Sequence, residues 1–243
     1  MAKDRYDDAV AVTHEISWVG FYEEETKLHC NPYVLLDEEE AVFIDPGSIP
    51  DFPVIMRKVI EVVRPAEISL IVASHQDPDV CGNLPVVEDV IDRPDLRIAA
   101  HMNTVRLIRH YGLRSELYPV DRNNYTLTLK SGRRLDFFWT PFLHSPGAIM
   151  TFDGTSGTLF TSDLFGGLSE EWALFAKGDF LTPMAAFHRL YMPTRELLAR
   201  CMDQVAELPV QRICPQHGSI LQGSQVKEAI AFLKALPCAM DAT

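Results

Sequence analysis

The stretch SHQDPDVCGNLP, residues 74–85, places a histidine and two aspartates at every second position directly after a buried apolar run. In an extended chain, side chains alternate between two sides, so His75, Asp77 and Asp79 are expected to point the same way. Pro78 disfavours the helical conformation for the residue before it and should preserve this spacing. Neighbouring carboxylates are unfavourable unless a cation neutralises them. The stretch therefore predicts a cation site, with a solvated acidic loop as the alternative.

Three further candidate ligands stand at equivalent places, directly after a β-run and at the start of a loop that contains glycine or proline. They are His144 in FWTPFLH-SPG, Asp163 in LFTSD-LFGG and His217 in RICPQH-GSI. Loops at strand ends can aim side chains while the sheet holds them in place. Histidines and carboxylates without a thiolate suit iron or manganese, then zinc, and disfavour a structural zinc site. The sequence thus predicts a metal centre formed by His75, Asp77, Asp79, His144, Asp163 and His217.

The elements that must position these residues alternate between β-rich and helical stretches in two batches. Predicted strands cover 16–22, 31–36, 41–45, 68–73, 96–100, 125–129, 135–139, 149–152, 158–161 and 210–214. Predicted helices cover 54–63, 85–91, 103–111, most of 183–207, and 225–236. This order fits two sheets packed face to face with helices outside, a four-layer αββα sandwich of the α/β class. No linker or repeat interrupts the pattern, so residues 1–243 are predicted to form one domain.

Composition excludes several classes of function. The 243 residues include 22 basic and 34 acidic side chains, a net charge of −12, which argues against nucleic-acid binding and a basic membrane-surface role. No apolar run reaches the roughly 18–20 residues of a membrane helix. The N-terminus lacks a secretory signal pattern. Five scattered cysteines without a C-x-x-C pair suggest reduced thiols. We therefore expect a cytoplasmic protein.

The four site motifs, in this order, resemble those of the metallo-β-lactamase fold superfamily, and more closely those of the diiron domain of flavodiiron proteins. The family's H-x-E-x-D-H loop is matched by 75–80, its TPxxH stretch by 140–144, its LF(S/T)xDxFG stretch by 159–166 and its P-x-H-G stretch by 215–218. The resemblance runs from about residue 14 to 235. It implies a metallo-β-lactamase-like sandwich that holds two iron ions, with zinc or manganese as alternatives.

The resemblance also implies how the ligands are divided between the two metal ions. One ion would take His75, Asp77 and His144, the other Asp79 and His217, with Asp163 as the bridge. In this chain Asp77 stands where the family usually has the longer glutamate, and Val80 stands where the family has a histidine. Because valine cannot ligate, the second metal is expected to keep open or water-filled positions and to bind weakly.

Several other residues are weaker candidates, for which packing or a surface position is the default expectation. Asp45 matches a superfamily position that braces the loops without ligation. The remaining candidates are Cys81 near the second metal, His101 as a support for a ligand, His188 on a helix, residues 137–139 as a wall beside the metals, and Trp172 and Phe175 at a pocket mouth or a dimer contact.

Three functions follow from this reading. No flavodoxin-like segment follows the last predicted helix, and in this the chain resembles stand-alone relatives of the diiron domain that bind oxygen as sensors. The first hypothesis is a non-haem diiron protein that binds O2 or another small molecule as a sensor or carrier, without a flavin of its own. One alternative is a metal-dependent hydrolase with a metal-bridging hydroxide; another is an O2 or NO reductase served by a separate electron-transfer protein. A signalling partner and a homodimer are further options.

Overall fold

The computed structural model describes residues 6–23 and 25–242, so residues 1–5, 24 and 243 of the single predicted domain lie outside the described residues. Two β-sheets pack face to face, and helices cover the outer face of each. The predicted four-layer αββα arrangement is therefore confirmed. None of the helices in the described ranges has the length and apolar character of a membrane span.

The first sheet has seven strands that follow one another in chain order. The strands are β1 (Val10–Ala11), β2 (Ile16–Trp18), β3 (Tyr33–Asp37), β4 (Glu40–Ile44), β5 (Ile68–Val72), β6 (Arg97–Ala100) and β7 (Glu116–Pro119). β1 to β4 pair antiparallel, and β4 to β7 pair parallel. β4 and β5 are buried on both faces, which explains the near-continuous apolar run of β5.

The second sheet has six strands in the order β13-β12-β11-β10-β9-β8. The strands are β8 (Thr126–Thr128), β9 (Arg134–Trp139), β10 (Ile149–Asp153), β11 (Thr158–Phe160), β12 (Arg212–Cys214) and β13 (Leu221–Gln222). Among the described strands of this sheet only β11 and β12 pair parallel, so their carboxyl ends lie at the same edge. The loops after these two strands carry Asp163 and His217.

Seven α-helices connect the strands in the described part of the chain. They are α1 (Phe52–Val62), α2 (Pro78–Cys81), α3 (Leu84–Ile91), α4 (Met102–Ile108), α5 (Leu181–Tyr191), α6 (Arg195–Ala206) and α7 (Ser224–Ala235). The predicted helical region 183–207 is divided into α5 and α6 at Pro193, because proline cannot donate the hydrogen bond that would continue a helix.

The core consists of three apolar layers. Residues such as Trp18, Leu70 and Phe160 pack between the two sheets. A second cluster lies between the first sheet and α1, α3 and α4, and a third lies between the second sheet and α5, α6 and α7. Burial of these three layers fixes the two sheets relative to each other, and the loops at one common edge of the sandwich become neighbours.

The structure corrects one expectation about the opening stretch. Residues 75–79 were predicted to be extended throughout, but Pro78 begins α2, in which Asp79 lies. Asp77 itself has extended backbone, with φ −71° and ψ 150°, as the residue before a proline should. Proline is well suited to the first position of a helix, where its missing N–H costs no hydrogen bond. Asp77 thus lies beside His144, whereas Asp79, within the helix, lies beside His217.

Candidate metal centre

The six predicted site residues come together at one edge of the sandwich. They derive from the loop after β5 and the adjoining α2, the β9–β10 loop, and the loops after β11 and β12. The rings of His75 and His144 are 5.2 Å apart between centroids. His75, Asp163 and His217 are at most 2% exposed, whereas the carboxylates of Asp77 and Asp79 are partly exposed. The cluster therefore has a buried floor and a side that faces solvent.

His75, Asp77 and His144 form what we call the first donor group. Nε2 of His144 lies 2.9 Å from Oδ2 of Asp77, and Nε2 of His75 lies 3.7 Å from the same oxygen. One nitrogen or oxygen atom from each of the three residues lies within 4.8 Å of the other two. Two imidazoles and one carboxylate at this spacing can hold a metal ion.

Asp79 and His217 form the second donor group. Nε2 of His217 lies 3.2 Å from Oδ2 of Asp79. The thiol of Cys30 completes a set of three potential donors with these two residues, whose donor atoms lie within 4.8 Å of one another. No local motif connects Cys30 with the other residues, so its place beside them could not be predicted from the sequence.

Asp163 lies between the two donor groups. Its Oδ2 is 2.8 Å from Nδ1 of His144, in the first group. Its Oδ1 is 3.5 Å from Nε2 of His217, in the second group, and 3.8 Å from Nε2 of His75. A carboxylate with one oxygen toward each group has the position of a bridging ligand.

The donor atoms fit a metal pair better than they fit one another. Nε2 of His75 and Oδ1 of Asp163 are buried and have no hydrogen-bond partner among the described residues. Buried polar atoms in native proteins are almost always paired, because an unpaired one costs about 1–3 kcal/mol. A cation between a neutral imidazole nitrogen and a carboxylate oxygen would satisfy both atoms.

The charges in the cluster are strongly coupled. Burial alone would raise the pKa of Asp163, but the three surrounding imidazoles hold that pKa well below its ordinary value. Burial alone would lower the pKa of His217, but the hydrogen bond with Asp79 raises it. The pKa of His144 behaves in the same way. Burial alone would lower it, but the contacts with Asp163 and Asp77 raise it. The cluster thus stabilises positive charge beside its carboxylates, as a cation site does.

A row of hydrogen-bonded groups fixes the orientation of His75. Its Nδ1 lies 3.0 Å from Oγ of Ser162, which lies 2.9 Å from Oγ of Ser74. Ser74 donates from its backbone N–H to Oδ1 of Asp45 at 2.8 Å, and its hydroxyl lies 2.9 Å from Oδ2. With Nδ1 protonated, this row leaves Nε2 of His75 free to act as a ligand, an arrangement typical of metal-binding histidines. Asp45 therefore braces the loops, as the sequence indicated.

Backbone contacts fix His217 and the loop of Asp163. Nδ1 of His217 donates to the carbonyl oxygen of His29 at 3.0 Å, which directs Nε2 toward Asp79. The N–H of Phe165, two residues after Asp163, donates to Nε2 of His188 at 3.1 Å. Burial lowers the pKa of His188 to about 4, so its ring is neutral and can accept this bond. His29 and His188 are thus positioning residues, although local sequence gave no signal for either role.

The other weak candidates lie outside the cluster. The thiol of Cys81 is directed to the backbone oxygens of Gln76 and Asp77, at 2.9 and 3.1 Å. The ring of His101 accepts a hydrogen bond at the start of α4 and stacks on Trp139.

The loop after Asp163 provides a further contact. Trp172 donates from Nε1 to the carbonyl oxygen of Gly218 at 2.8 Å and lines a cleft next to the loop of His217. Phe175 does not line this cleft and instead forms a β-bridge with Ile220.

Val80 is fully buried in the apolar layer under α1 and α3. As expected, it offers no donor to the second group.

Aromatic side chains of α5 form a wall beside the site. The ring of Phe187 is 5.5 Å from the ring of His217, and the ring of Tyr191 is 5.8 Å from that of His144. Because the two are four residues apart on one helix, they share a face and stack at 4.6 Å. Together they cover both donor groups with apolar surface.

Comparison with known proteins identifies the class of protein that this fold and site define. The family model described as ODP family beta lactamase matches residues 28–218, and the chain belongs to that family. The expected kinship with the diiron domain of flavodiiron proteins is therefore confirmed at the level of the family.

Individual relatives agree with this assignment. The chain is 30% identical over 198 residues to the Type A flavoprotein fprA of Rhodobacter capsulatus, which covers 79% of this chain and 45% of that protein. It is 26% identical over 254 residues to an anaerobic nitric oxide reductase flavorubredoxin homolog of Escherichia coli O157:H7, which covers 93% of this chain and 59% of that protein. The chain thus spans about half the length of the curated relatives it matches.

Solved structures share the fold over nearly the whole chain. The peroxy diiron species of the chemotaxis sensor ODP superimposes with a TM-score of 0.80 at 24% identity, over 96% of each chain. The flavodiiron protein of Giardia intestinalis superimposes with a TM-score of 0.85 at 18% identity, over 95% of this chain and 59% of that one.

Proposed function

We propose that this chain is a non-haem diiron protein that binds O2 as a sensor or carrier. The proposed metal ligands are the six converging residues His75, Asp77, Asp79, His144, Asp163 and His217. The observation that carries the proposal is the pair of buried, unpartnered atoms Nε2 of His75 and Oδ1 of Asp163, which face each other at 3.8 Å. Membership of the ODP family and the fold shared with a diiron chemotaxis sensor support the choice of iron and O2.

In this proposal each donor group holds one metal ion and Asp163 belongs to both. His75, Asp77 and His144 hold the first ion, and Asp79 and His217 hold the second. When bound, two ferrous ions would supply the redox chemistry that O2 binding requires. Imidazole and carboxylate donors suit iron and manganese and also accept zinc, so loading in the cell depends on metal supply as well as on the site.

The aromatic wall of α5 supports O2 over a hydrolytic substrate. Phe187 and Tyr191 place apolar surface beside the rings of His217 and His144. Such a surface favours a small apolar molecule and limits the access of water. A hydrolase would need room and polar contacts for a larger substrate, together with a reactive water at the metals.

The proposal includes a partner and a location. An O2 sensor must pass its signal to another macromolecule, and an O2 or NO reductase would need an electron-transfer protein, so an external protein partner is expected in either case. All five cysteines are buried and unpaired, which is in keeping with the reducing cytoplasm. The protein partner, the cytoplasmic location and the formation of a homodimer stay predictions.

Anaerobic purification, metal counting and exposure to air with the visible spectrum recorded would test the function. We expect two iron ions per chain and a new absorption band when air is admitted. His144→Ala should lose the band, whereas His101→Ala, which alters a buried histidine outside the cluster, should keep it. A colourless zinc protein that hydrolyses an ester or lactam would contradict the proposal. Repeated consumption of O2 or NO with a chemical reductant would favour the reductase instead.

A further inference from the structure

The second donor group has fewer protein donors than the first. The first group offers two imidazoles and a carboxylate, but the second offers one imidazole and one carboxylate, since Val80 cannot ligate. Both groups share Asp163. Within the proposed function, a second metal ion would therefore be held weakly unless the chain supplies another donor.

Cys30 lies where such a donor is needed. Its Sγ, a carboxylate oxygen of Asp79 and a ring nitrogen of His217 lie within 4.8 Å of one another. Cys30 is 6% exposed, and its thiol makes a long hydrogen bond, 3.9 Å, to the carbonyl oxygen of Leu28. The thiol also faces the imidazole of His217.

An independent feature points to a cation at the same place. Asp163 is 2% exposed, and its Oδ1 has no hydrogen-bond partner among the described residues. This oxygen lies 3.5 Å from Nε2 of His217, the imidazole beside Cys30 and Asp79, and 3.8 Å from Nε2 of His75. A buried carboxylate oxygen, a carboxylate, an imidazole nitrogen and a thiol thus surround one region.

The segment that carries Cys30 is fixed on both sides of the cysteine. Before it, the carbonyl oxygen of His29 accepts the hydrogen bond from Nδ1 of His217. After it, the N–H of Asn31 donates to the carbonyl oxygen of Gln216 at 2.8 Å, and the Asn31 amide donates to the carbonyl oxygens of Pro215 and Gly218. The same contacts that orient His217 therefore hold the thiol beside it.

We infer that Cys30 is a ligand of the second metal ion, in the place of the imidazole that Val80 does not provide. This inference rests on the metal pair of the proposed function. The second ion would have thiolate, imidazole and carboxylate donors together with the bridging Asp163. On binding, the thiol releases its proton to solvent and the sulfur donates an electron pair to the metal, with no change of oxidation state.

The thiolate makes the two metal positions chemically different. Sulfur is a softer donor than nitrogen or oxygen, so the second position should prefer zinc or iron to manganese more strongly than the first does. The thiolate is also anionic, whereas an imidazole is neutral, so it supplies charge that offsets the ion.

X-ray absorption of the zinc-loaded protein tests this inference without any O2 chemistry. Zinc–sulfur distances of about 2.3 Å are separate from zinc–nitrogen and zinc–oxygen distances of about 2.0–2.2 Å. We expect the wild-type chain with two zinc ions to show one sulfur neighbour per chain. Cys30→Ser and Cys30→Ala should both lose this neighbour and bind the second zinc more than about 100-fold more weakly, beyond the effect of changing a residue that only supports a ligand. Two replacements are used because one of them could affect folding.

Cys81→Ala is the matched control, because Cys81 is also buried but directs its thiol to backbone oxygens. It should keep the sulfur neighbour. A wild-type spectrum without sulfur overturns the inference, however many zinc ions are bound, and so does a sulfur signal that survives both Cys30 replacements. Failure of the iron-loaded protein to respond to air would overturn the proposed function while leaving this result unaffected.

Discussion

The two donor groups of the metal centre differ in how the chain builds them. The first takes His75 and Asp77 from one short loop and His144 from a loop of the other sheet, so two of its three members are near neighbours in sequence. The second takes Asp79 from α2, His217 from the loop after β12 and Cys30 from the segment before β3, so its members are all distant in sequence. Two imidazoles serve the first group, whereas one imidazole and a thiol serve the second.

This difference suggests that the two groups hold their metal ions with different stability. The first group has the donor set of a stable metal position, and a row of hydrogen-bonded groups from Asp45 to Ser162 fixes one of its imidazoles. The second group depends on a clamp between two segments far apart in sequence, residues 29–31 and 215–218. We therefore expect the second ion to respond most to changes that loosen tertiary contacts. Four substitutions examine this comparison, in order of decreasing expected effect.

Asp163→Asn should affect both groups, because one carboxylate oxygen faces each of them. We expect both metal ions to bind more than about 100-fold more weakly, beyond the effect of changing a residue that only supports a ligand. Titration with zinc against a chelator measures both affinities. Asp153→Asn removes another fully buried carboxylate, the partner of Arg133, and should keep both metals even if it unfolds more easily. If Asp163→Asn binds one ion with wild-type affinity, Asp163 is not shared.

His144→Ala should affect the first group and spare the second. The direct ion-pair partners of His144 are Asp77, in the first group, and the shared Asp163. The expected metal content therefore falls from two ions per chain to one, and the remaining ion should keep the sulfur neighbour. Elemental analysis and X-ray absorption measure these two quantities. Loss of both ions together would mean that the two groups are not independent.

Asp45→Asn should weaken only the first group, and more modestly. Asparagine tolerates the left-handed backbone of this position, where φ is +51°, and keeps one acceptor for the Ser74 N–H. It loses the acceptor for the Ser74 hydroxyl, so the row that orients His75 is interrupted. We expect the first ion to bind about 10-fold more weakly, with the second unchanged.

The control for Asp45→Asn is Asp121→Asn, in which the altered carboxylate braces the start of α4 at Met102. It should change neither metal affinity. An equal loss at both positions in Asp45→Asn would argue that the brace acts on the whole edge of the sandwich rather than on His75.

His188→Gln should change the pH dependence of folding more than it changes metal binding. Burial lowers the pKa of His188 to about 4 from its ordinary 6.5. Between these values the unfolded chain binds a proton at this residue that the folded chain does not, so wild-type stability falls as the pH falls from 6.5 to 4. Removing the histidine should make this decline shallower by up to about 1.4 kcal/mol per pH unit.

Urea unfolding of the metal-free protein between pH 4 and 7 measures that slope. His14→Gln, which replaces a histidine with an 86% exposed side chain, is the comparison variant. An identical slope in wild type and His188→Gln would show that His188 is not the buried neutral group described above.

The sequence was most informative where chemistry and local order coincide. Alternation of β-rich and helical stretches was sufficient for the four layers, because each layer buries an apolar pattern that can be read locally. Histidines and carboxylates directly after strands predicted the six converging side chains, since strand ends meet at common edges. The prediction of an extended segment was wrong for residues 75–79. A proline at the first position of a helix and a proline within an extended segment look the same in sequence, and only the packing of the residues that follow distinguishes them.

Only the tertiary structure decided which distant segments contact each other, because no common sequence pattern links these segments. Cys30 lies beside His217 because Asn31 fastens its segment to the loop after β12, almost 190 residues away in sequence. Phe187 and Tyr191 form the aromatic wall because α5 packs over the second sheet, and His188 supports the Asp163 loop from the same helix. Residue types and spacing determine which donors the chain can offer at each strand end. The packing of two sheets and their loops determines which donors meet, because that proximity is a property of the folded core and not of any local stretch.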